Sequence, residues 1–282
     1  MEDQYNLPHN QVFSPYNLAE LFQFWNRFPD AVLCSGGTDL LRRQRNRIFA
    51  LPQNLISLDK VEELQKINRT ERHLEIGAAI CLSDIPRIGK IVPEPLVAII
   101  NSIGNPRLRN LASIGGAIMS SHRYSDIHSI LIAQDATYEL KSASNSRWIS
   151  ASKFVVSGPQ LLQEEQALIS RIRIPLTQWT YMFHKKIGNI NRDDPNGGTF
   201  LLLCSIEKDI ITDLRIIFVG SIILRFKDME THLVGQSIPL DEKIADTLIY
   251  EYSSFITEKI LDNNYLQHSI IRSMKASLYN IV

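Results

Sequence analysis

The chain has 282 residues, with 30 basic and 30 acidic side chains balancing to a formal net charge of zero, 44% hydrophobic residues and 21% charged ones. This composition fits a folded chain of two or three small subdomains; it excludes extensive disorder and any net field drawing the protein onto nucleic acid or anionic lipid. Cys34, Cys81 and Cys204 are far apart with no CxxC pair, and the histidines are scattered, so no zinc or iron–sulfur ligand set is expected.

The N-terminus is polar and broken by Pro8 and Pro15, unlike a signal peptide. The longest strongly apolar run, 216–224, is far shorter than the ~20 residues of a membrane helix. A soluble cytoplasmic protein, with no membrane and no nucleic acid as partner, is the expectation. Residues 11–13 read as a strand. Asn17 and Glu20 have the N-x-x-E form of a helix start, and Leu18, Leu21, Phe22 and Trp25 follow at helical spacing until Pro29-Asp30. Residues 31–34 read as a buried strand running into a first Gly-Gly turn, Ser35-Gly36-Gly37-Thr38-Asp39, which makes a compact βαβ unit. The basic run 42–47 has no interleaved aromatic side chains and reads as a solvated loop.

Residues 55–58 and 74–78 read as strands, and Leu96, Ile99, Ile100 and Ile103 as a helix stopped by Gly104-Asn105-Pro106. The stretch 105–126, NPRLRNLASIGGAIMSSHRYSD, holds a second Gly-Gly turn at Gly115-Gly116 and ends on Asp126. A helix over 126–134 and strands over 136–140, 147–149 and 168–174 follow, with Pro175 as a boundary. Beyond it come three long strands, 179–185, 199–206 and 211–225, and then two helices. Ile244, Leu248, Tyr252 and Phe255 form the apolar stripe of one helix; Leu266, Ile270, Met274 and Leu278 form that of the other. Strands followed by helices indicate α+β architecture.

Glycine recurs where backbone N–H groups must approach a pyrophosphate without an obstructing Cβ. Ser35, Thr38 and Ser113 add hydroxyl groups beside the two glycine pairs. Neither pair matches a Walker loop or a G-x-G-x-x-G fingerprint, and either one alone reads as a plain tight turn. Asp193-Asp194-Pro195-Asn196-Gly197-Gly198 lacks calcium-loop spacing and reads as a turn.

Together the motifs resemble the FAD-binding subunit of the molybdenum hydroxylases, the xanthine dehydrogenase, nicotinate dehydrogenase and carbon monoxide dehydrogenase family. Cys34-Ser35-Gly36-Gly37-Thr38-Asp39-Leu40-Leu41 is close to that family's AGGTDLL. Leu74-Glu75-Ile76-Gly77-Ala78 resembles its LxIGA strand, residues 104–116 its IGNPQIRNxATIGG, and Asp126 the Asp of its SPxSD. Phe183-His184-Lys185-Lys186-Ile187-Gly188 resembles FYRKVG, residues 211–225 DVRIALGAVAPTPxR, and 230–235 AExxLxG.

The resemblance implies a vanillyl-alcohol oxidase/PCMH-type FAD-binding fold, an α+β architecture with FAD extended between two α+β subdomains. The expected division is 1–58 and 59–175 for the two subdomains and 176–282 for a C-terminal α+β domain with a three-stranded sheet and helices. Ser35, Gly36, Gly37, Thr38 and Asp39, with Ser113, Ile114, Gly115 and Gly116, would cradle the pyrophosphate through backbone N–H groups, flanked by Cys34, Leu40 and Ala112. Tryptophan at Gly36 or Gly116 would then abolish flavin binding and leave the fold intact.

Asp126 would hold ribityl or ribose hydroxyls, or cap the helix that follows it, or both. Lys186 would either stabilise the anionic reduced flavin from its N1/O2 edge or lie on the surface at a strand end. The chain departs from the family at Ala117, at His122-Arg123-Tyr124 and over 189–196. A separate [2Fe–2S] subunit and a separate molybdopterin-binding subunit are implied, with electrons passing through FAD to NAD+ or another acceptor. A stand-alone flavin oxidoreductase of the same fold and an FAD-less assembly subunit remain the alternatives.

Overall fold

A computed structural model describes residues 10–43, 51–120, 126–188 and 197–281. The N-terminal nine residues, the basic run from Gln44 onward, the 122–124 departure and the 189–196 segment lie outside the described residues. The chain begins β1 (Gln11–Phe13), α1 (Leu18–Arg27), β2 (Val32–Cys34), α2 (Thr38–Arg43), β3 (Asn54–Ser57), β4 (Ile67–Arg69) and β5 (His73–Gly77). Next come α3 (Glu94–Ser102), α4 (Pro106–Arg109), α5 (Ile114–Met119), α6 (Asp126–Ala133), β6 (Thr137–Lys141), β7 (Ser146–Ser150) and α7 (Ala151–Glu164). It continues with β8 (Leu168–Pro175), β9 (Tyr181–Ile187), β10 (Gly198–Glu207), β11 (Ile210–Gly220) and β12 (Ile223–Arg225). Helices α8 (Lys227–Leu233), α9 (Glu242–Lys259) and α10 (Asn264–Tyr279) close it.

Packing divides the chain into two compact units that are not contiguous in sequence. The first gathers Met1–Ile88, Gly104–Met119 and Thr137–Arg173; the second gathers Gly89–Ile103, Ser120–Ala136 and Ile174–Val282.

In the first unit, β1, β3 and β2 form a parallel three-stranded sheet in that order. Helix α1 starts where the side chain of Asn17 accepts the Glu20 N–H at 2.8 Å, and Glu20 Oε2 accepts the Tyr16 N–H in return. Its apolar stripe, Leu18, Leu21 and Phe22, is buried with Ala31, Ile56, Val61 and Leu64. A second, five-stranded sheet has the order β4-β5-β8-β6-β7. Tyr138 of β6 is buried edge-on against Phe154 of α7, with ring centroids 5.2 Å apart. Period-two alternation turns Glu139 to the opposite face, where it meets Arg171, and Arg171 and Arg173 both reach Glu75. The Arg173 guanidinium stacks 3.8 Å from the centre of the Trp148 ring.

In the second unit, β9 to β12 form an antiparallel sheet in the order β12-β11-β10-β9. The segment 211–225, expected as one strand, turns where the Gly220 N–H reaches the Ile222 carbonyl, and it returns as β12; the sheet therefore has four strands rather than three. Residues 198–205 of β10 are buried without interruption, the pattern of a strand covered on both faces. Phe200, Leu202 and Cys204 join a core with Leu248, Ile256, Ile270 and Met274 of α9 and α10. Helix α6, all eight of whose residues are buried, packs on β10 and β11 and against α3.

Burial alone would raise the Glu139 carboxyl, but hydrogen bonds from Arg171, Ser170 and Ser146 outweigh it and hold the pKa down at about 2. Its stabilising contribution is complete above the unfolded-state value of about 4.3 and is lost as pH falls through the folded value. Glu139→Gln should therefore flatten the acid limb of stability between these two values, as measured by urea unfolding at stepped pH; an unchanged acid limb would contradict the pairing.

Candidate functional site

The first glycine pair joins β2 to α2. Gly37 has φ +68°, a left-handed turn that glycine adopts without strain. At Gly36 the constraint is space: a Cβ there would lie 1.6 Å from the carbonyl oxygen of Leu111, so backbone meets backbone. The α2 ladder opens with Leu41 N–H on the Gly37 carbonyl at 3.0 Å. The first-turn amides ahead of Leu41, those of Thr38, Asp39 and Leu40, have no acceptor within a helix by construction. Ser35 Oγ donates to Asp59 at 3.2 Å, and Asp39 holds Arg42 at 2.8 Å, so both side chains are engaged within the protein. Cys34 lies half-buried beneath the turn, its thiol pushed up by burial and then by the charge of Asp59.

The second glycine pair differs from the expectation. Gly115 and Gly116 form no turn; they lie in the short helix α5. Their amides are not available as the pyrophosphate cradle either. Ile114 N–H donates to the Ile80 carbonyl at 2.9 Å, Gly115 N–H to that of Ala78 at 2.8 Å, and Gly116 N–H to Ser113 Oγ at 3.1 Å. The Ala112 carbonyl accepts Leu82 N–H at 2.8 Å. These bonds tie 112–115 to the chain leaving β5. Glycine at 115 serves close approach, because a Cβ there would come 2.7 Å from Ala78. Ser113, 2% exposed, caps the start of α5.

Asp126 opens α6 in the second unit and is 8% exposed. Its Oδ1 accepts Thr199 Oγ1–H at 2.8 Å, and its Oδ2 pairs with Lys186 Nζ at 2.6 Å. His184 Nε2 stands 3.5 Å from Oδ1. Burial alone would push this carboxyl up; the contacts from His184, Lys186 and Thr199 more than offset it and hold it below the usual aspartate range. Asp126 is therefore ionised. Lys186 Nζ also lies 3.4 Å from the Ser102 carbonyl.

The structure thus brings together Cys34–Leu40 and Ala112–Gly116 within the first unit, and Asp126 with Lys186 within the second. Sequence reasoning missed Thr199 and His184 as partners of Asp126. A signal was present: period two sets His184 and Lys186 on one face of β9, and the register sets Thr199 opposite Lys186.

A family model, the FAD binding domain in molybdopterin dehydrogenase, matches residues 7–177, more than half of the chain. The chain belongs to this family. FAD is its cofactor. It is 33% identical over 186 residues to aldehyde oxidase 2 of Cavia porcellus, a stretch covering 60% of this chain and 14% of that protein. It is 31% identical over 182 residues to the carbon monoxide dehydrogenase medium chain of Hydrogenophaga pseudoflava, covering 62% of this chain and 63% of that one. The chain thus matches about a seventh of the oxidase's length and under two thirds of the medium chain's. A solved structure of carbon monoxide dehydrogenase from Hydrogenophaga pseudoflava, lacking the Mo-pyranopterin moiety of the molybdenum cofactor, superposes with a TM-score of 0.78 at 23% identity, covering 96% of each chain. The family's PCMH-type fold therefore extends beyond the matched segment.

The expectation that Gly36 can be replaced with the fold intact is revised, because any side chain there meets the chain's own backbone. Gly36→Ala should cost about 1–3 kcal/mol or more through overpacking. Thermal unfolding would show this as a lowered midpoint in the flavin-free chain, and an unchanged midpoint would contradict the close approach.

Proposed function

We propose that this chain is the FAD-binding, electron-transferring subunit of a multi-subunit molybdenum hydroxylase of the xanthine dehydrogenase type. It would work in the cytoplasm beside a separate [2Fe–2S] subunit and a separate molybdopterin-binding subunit, with a purine or other N-heterocycle as the substrate hydroxylated at molybdenum. The observation that carries this reading is the family match over 7–177, which includes both glycine segments. A medium chain among the relatives supports partner subunits. The three cysteines of this chain cannot ligate two clusters, which supports assigning those to another chain.

The donor chemistry fits a dinucleotide. The amides of Gly36, Gly37, Thr38, Asp39 and Leu40 are assigned to the pyrophosphate, since first-turn amides and a missing Cβ suit a close, anionic group. Cys34 and Ser35 support this loop from below, the serine through Asp59. Ala112, Ser113, Ile114, Gly115 and Gly116 are assigned the second wall, as a rigid backing in which the amides of Ala112, Ile114, Gly115 and Gly116 are bonded within the protein. Asp126 and Lys186 are assigned to the flavin's hydroxyls and ring edge on the family resemblance. An ionised carboxylate has about four lone-pair positions, so Thr199 and Lys186 leave it acceptor capacity. When bound, FAD relays electrons arriving from the clusters to NAD+ or another acceptor.

The purified chain should show flavin absorption bands that persist through gel filtration, and it should co-elute with candidate partner subunits. Absence of flavin bands, with none taken up on titration with FAD, would sink the proposal. Lys186→Met should retain flavin and lower its reduction potential by removing a nearby cation; an unshifted potential would remove Lys186 from the site.

A further inference from the structure

We infer that His184 is a positioning residue for the Asp126–Lys186 pair: on taking a proton it becomes a second cation on Asp126, and the charge of Lys186 is released. The geometry is confined to the second unit. His184 and Lys186 project from the same face of β9, across from Leu201 and Thr199 of β10, and Asp126 of α6 lies against them. Thr199 and His184 address the same carboxylate oxygen, Oδ1, at 2.8 Å and 3.5 Å, while Lys186 takes Oδ2 at 2.6 Å.

The His184 Nε2 atom is buried and, among the described residues, makes no hydrogen bond, Asp126 Oδ1 standing 3.5 Å away. A buried ring nitrogen left unpaired is costly, and the contact at 3.5 Å becomes a true ion pair once the ring is charged. Being buried, Nε2 acts through Asp126 rather than on a ligand. Among the described residues, the groups facing it are Asp126 from α6, Lys186 from its own strand, the uncharged Thr199 and Leu201 from β10, and through Lys186 the Ser102 carbonyl of α3. One carboxylate therefore answers two basic groups.

With a neutral ring, the cluster has one negative and one positive charge. With a protonated ring it carries a net charge of one positive unit. Asp126 stays ionised in both states, being held below the usual aspartate values by the same contacts that oppose its burial. Lys186, with a side chain 52% exposed, is the cation free to turn away. The positive charge offered to an anionic group beside Lys186 thus rises when His184 takes a proton. The consequence for flavin rests on the function proposed above, whereas the coupling within the cluster does not.

The direct test is a carbon-13 NMR titration of the Asp126 carboxyl in the flavin-free chain, from about pH 5 to 8, with Asp126→Asn identifying the resonance. The wild-type carboxyl should show a chemical-shift step over this titration, and His184→Gln should remove that step. No step in the wild type, or a step that survives His184→Gln, would overturn the inference. A second arm measures FAD dissociation constants over the same range. Affinity should tighten several-fold toward low pH in the wild type and stay flat in His184→Gln; parallel profiles would also overturn it. Because the first arm uses no flavin, failure of the coupling is distinguishable from failure of the proposed function.

Discussion

The contact between Gly36 and the carbonyl of Leu111 governs the first unit. At that point two backbones touch with no room for a single carbon between them. Close approach of this kind is available to glycine alone. The segment that Gly36 rests on is itself fixed, since Ile114 and Gly115 donate to the carbonyls of Ile80 and Ala78 just beyond β5. The Ser35–Asp39 turn is thereby referred, through residues 111–115, to the chain leaving β5 of the five-stranded sheet. The two glycine segments differ: the second supplies rigidity, its Ile114, Gly115 and Gly116 amides bonded within the protein, and the first leads into α2, whose opening amides are the ones we assign to the pyrophosphate.

In the second unit the governing constraint is electrostatic. Helix α6 is buried on every side, yet a carboxylate marks each end. At the start, Asp126 is tied to β9 and β10 through Lys186 and Thr199. Just past the other end, Asp135 is tied to β11 and β12 through Arg215 at 3.2 Å and Arg225 at 2.6 Å. An apolar helix could slide or rotate on an apolar sheet, because hydrophobic burial has no direction. Charged anchors at both ends fix its register. The anchor at Asp126 joins this structural task to the chemistry proposed for the site, and His184 stands beside it.

Much of this architecture was legible in the sequence. Asn17 with Glu20 marked the start of α1, and the apolar stripe of α10 emerged at the expected spacing, because helix caps and amphipathic faces are local signals. The stripe of α9 is rotated from the expected one: Ala245, Leu248, Ile249 and Ile256 are buried, while Ile244 is exposed. Helix α7 was not, since Gly158 and Pro159, ordinarily stop signals, lie in its interior. The Gly115-Gly116 pair was misread as a turn for a related reason: glycine there answers the nearness of Ala78, a tertiary contact that leaves no mark on local sequence. Parity along β9 held the information that His184 and Lys186 share a face, but not that α6 brings a carboxylate to them. Association of α3 and α6 with the C-terminal sheet is likewise long-range.

The central claim is the unequal division between the two glycine segments, and backbone amide hydrogen exchange measured with and without FAD tests it most directly. On adding FAD, the amides of 36–40 should exchange markedly more slowly, while those of Ile114, Gly115 and Gly116, already bonded within the protein, should change little. Protection gained at 114–116 with none at 36–40 would contradict it.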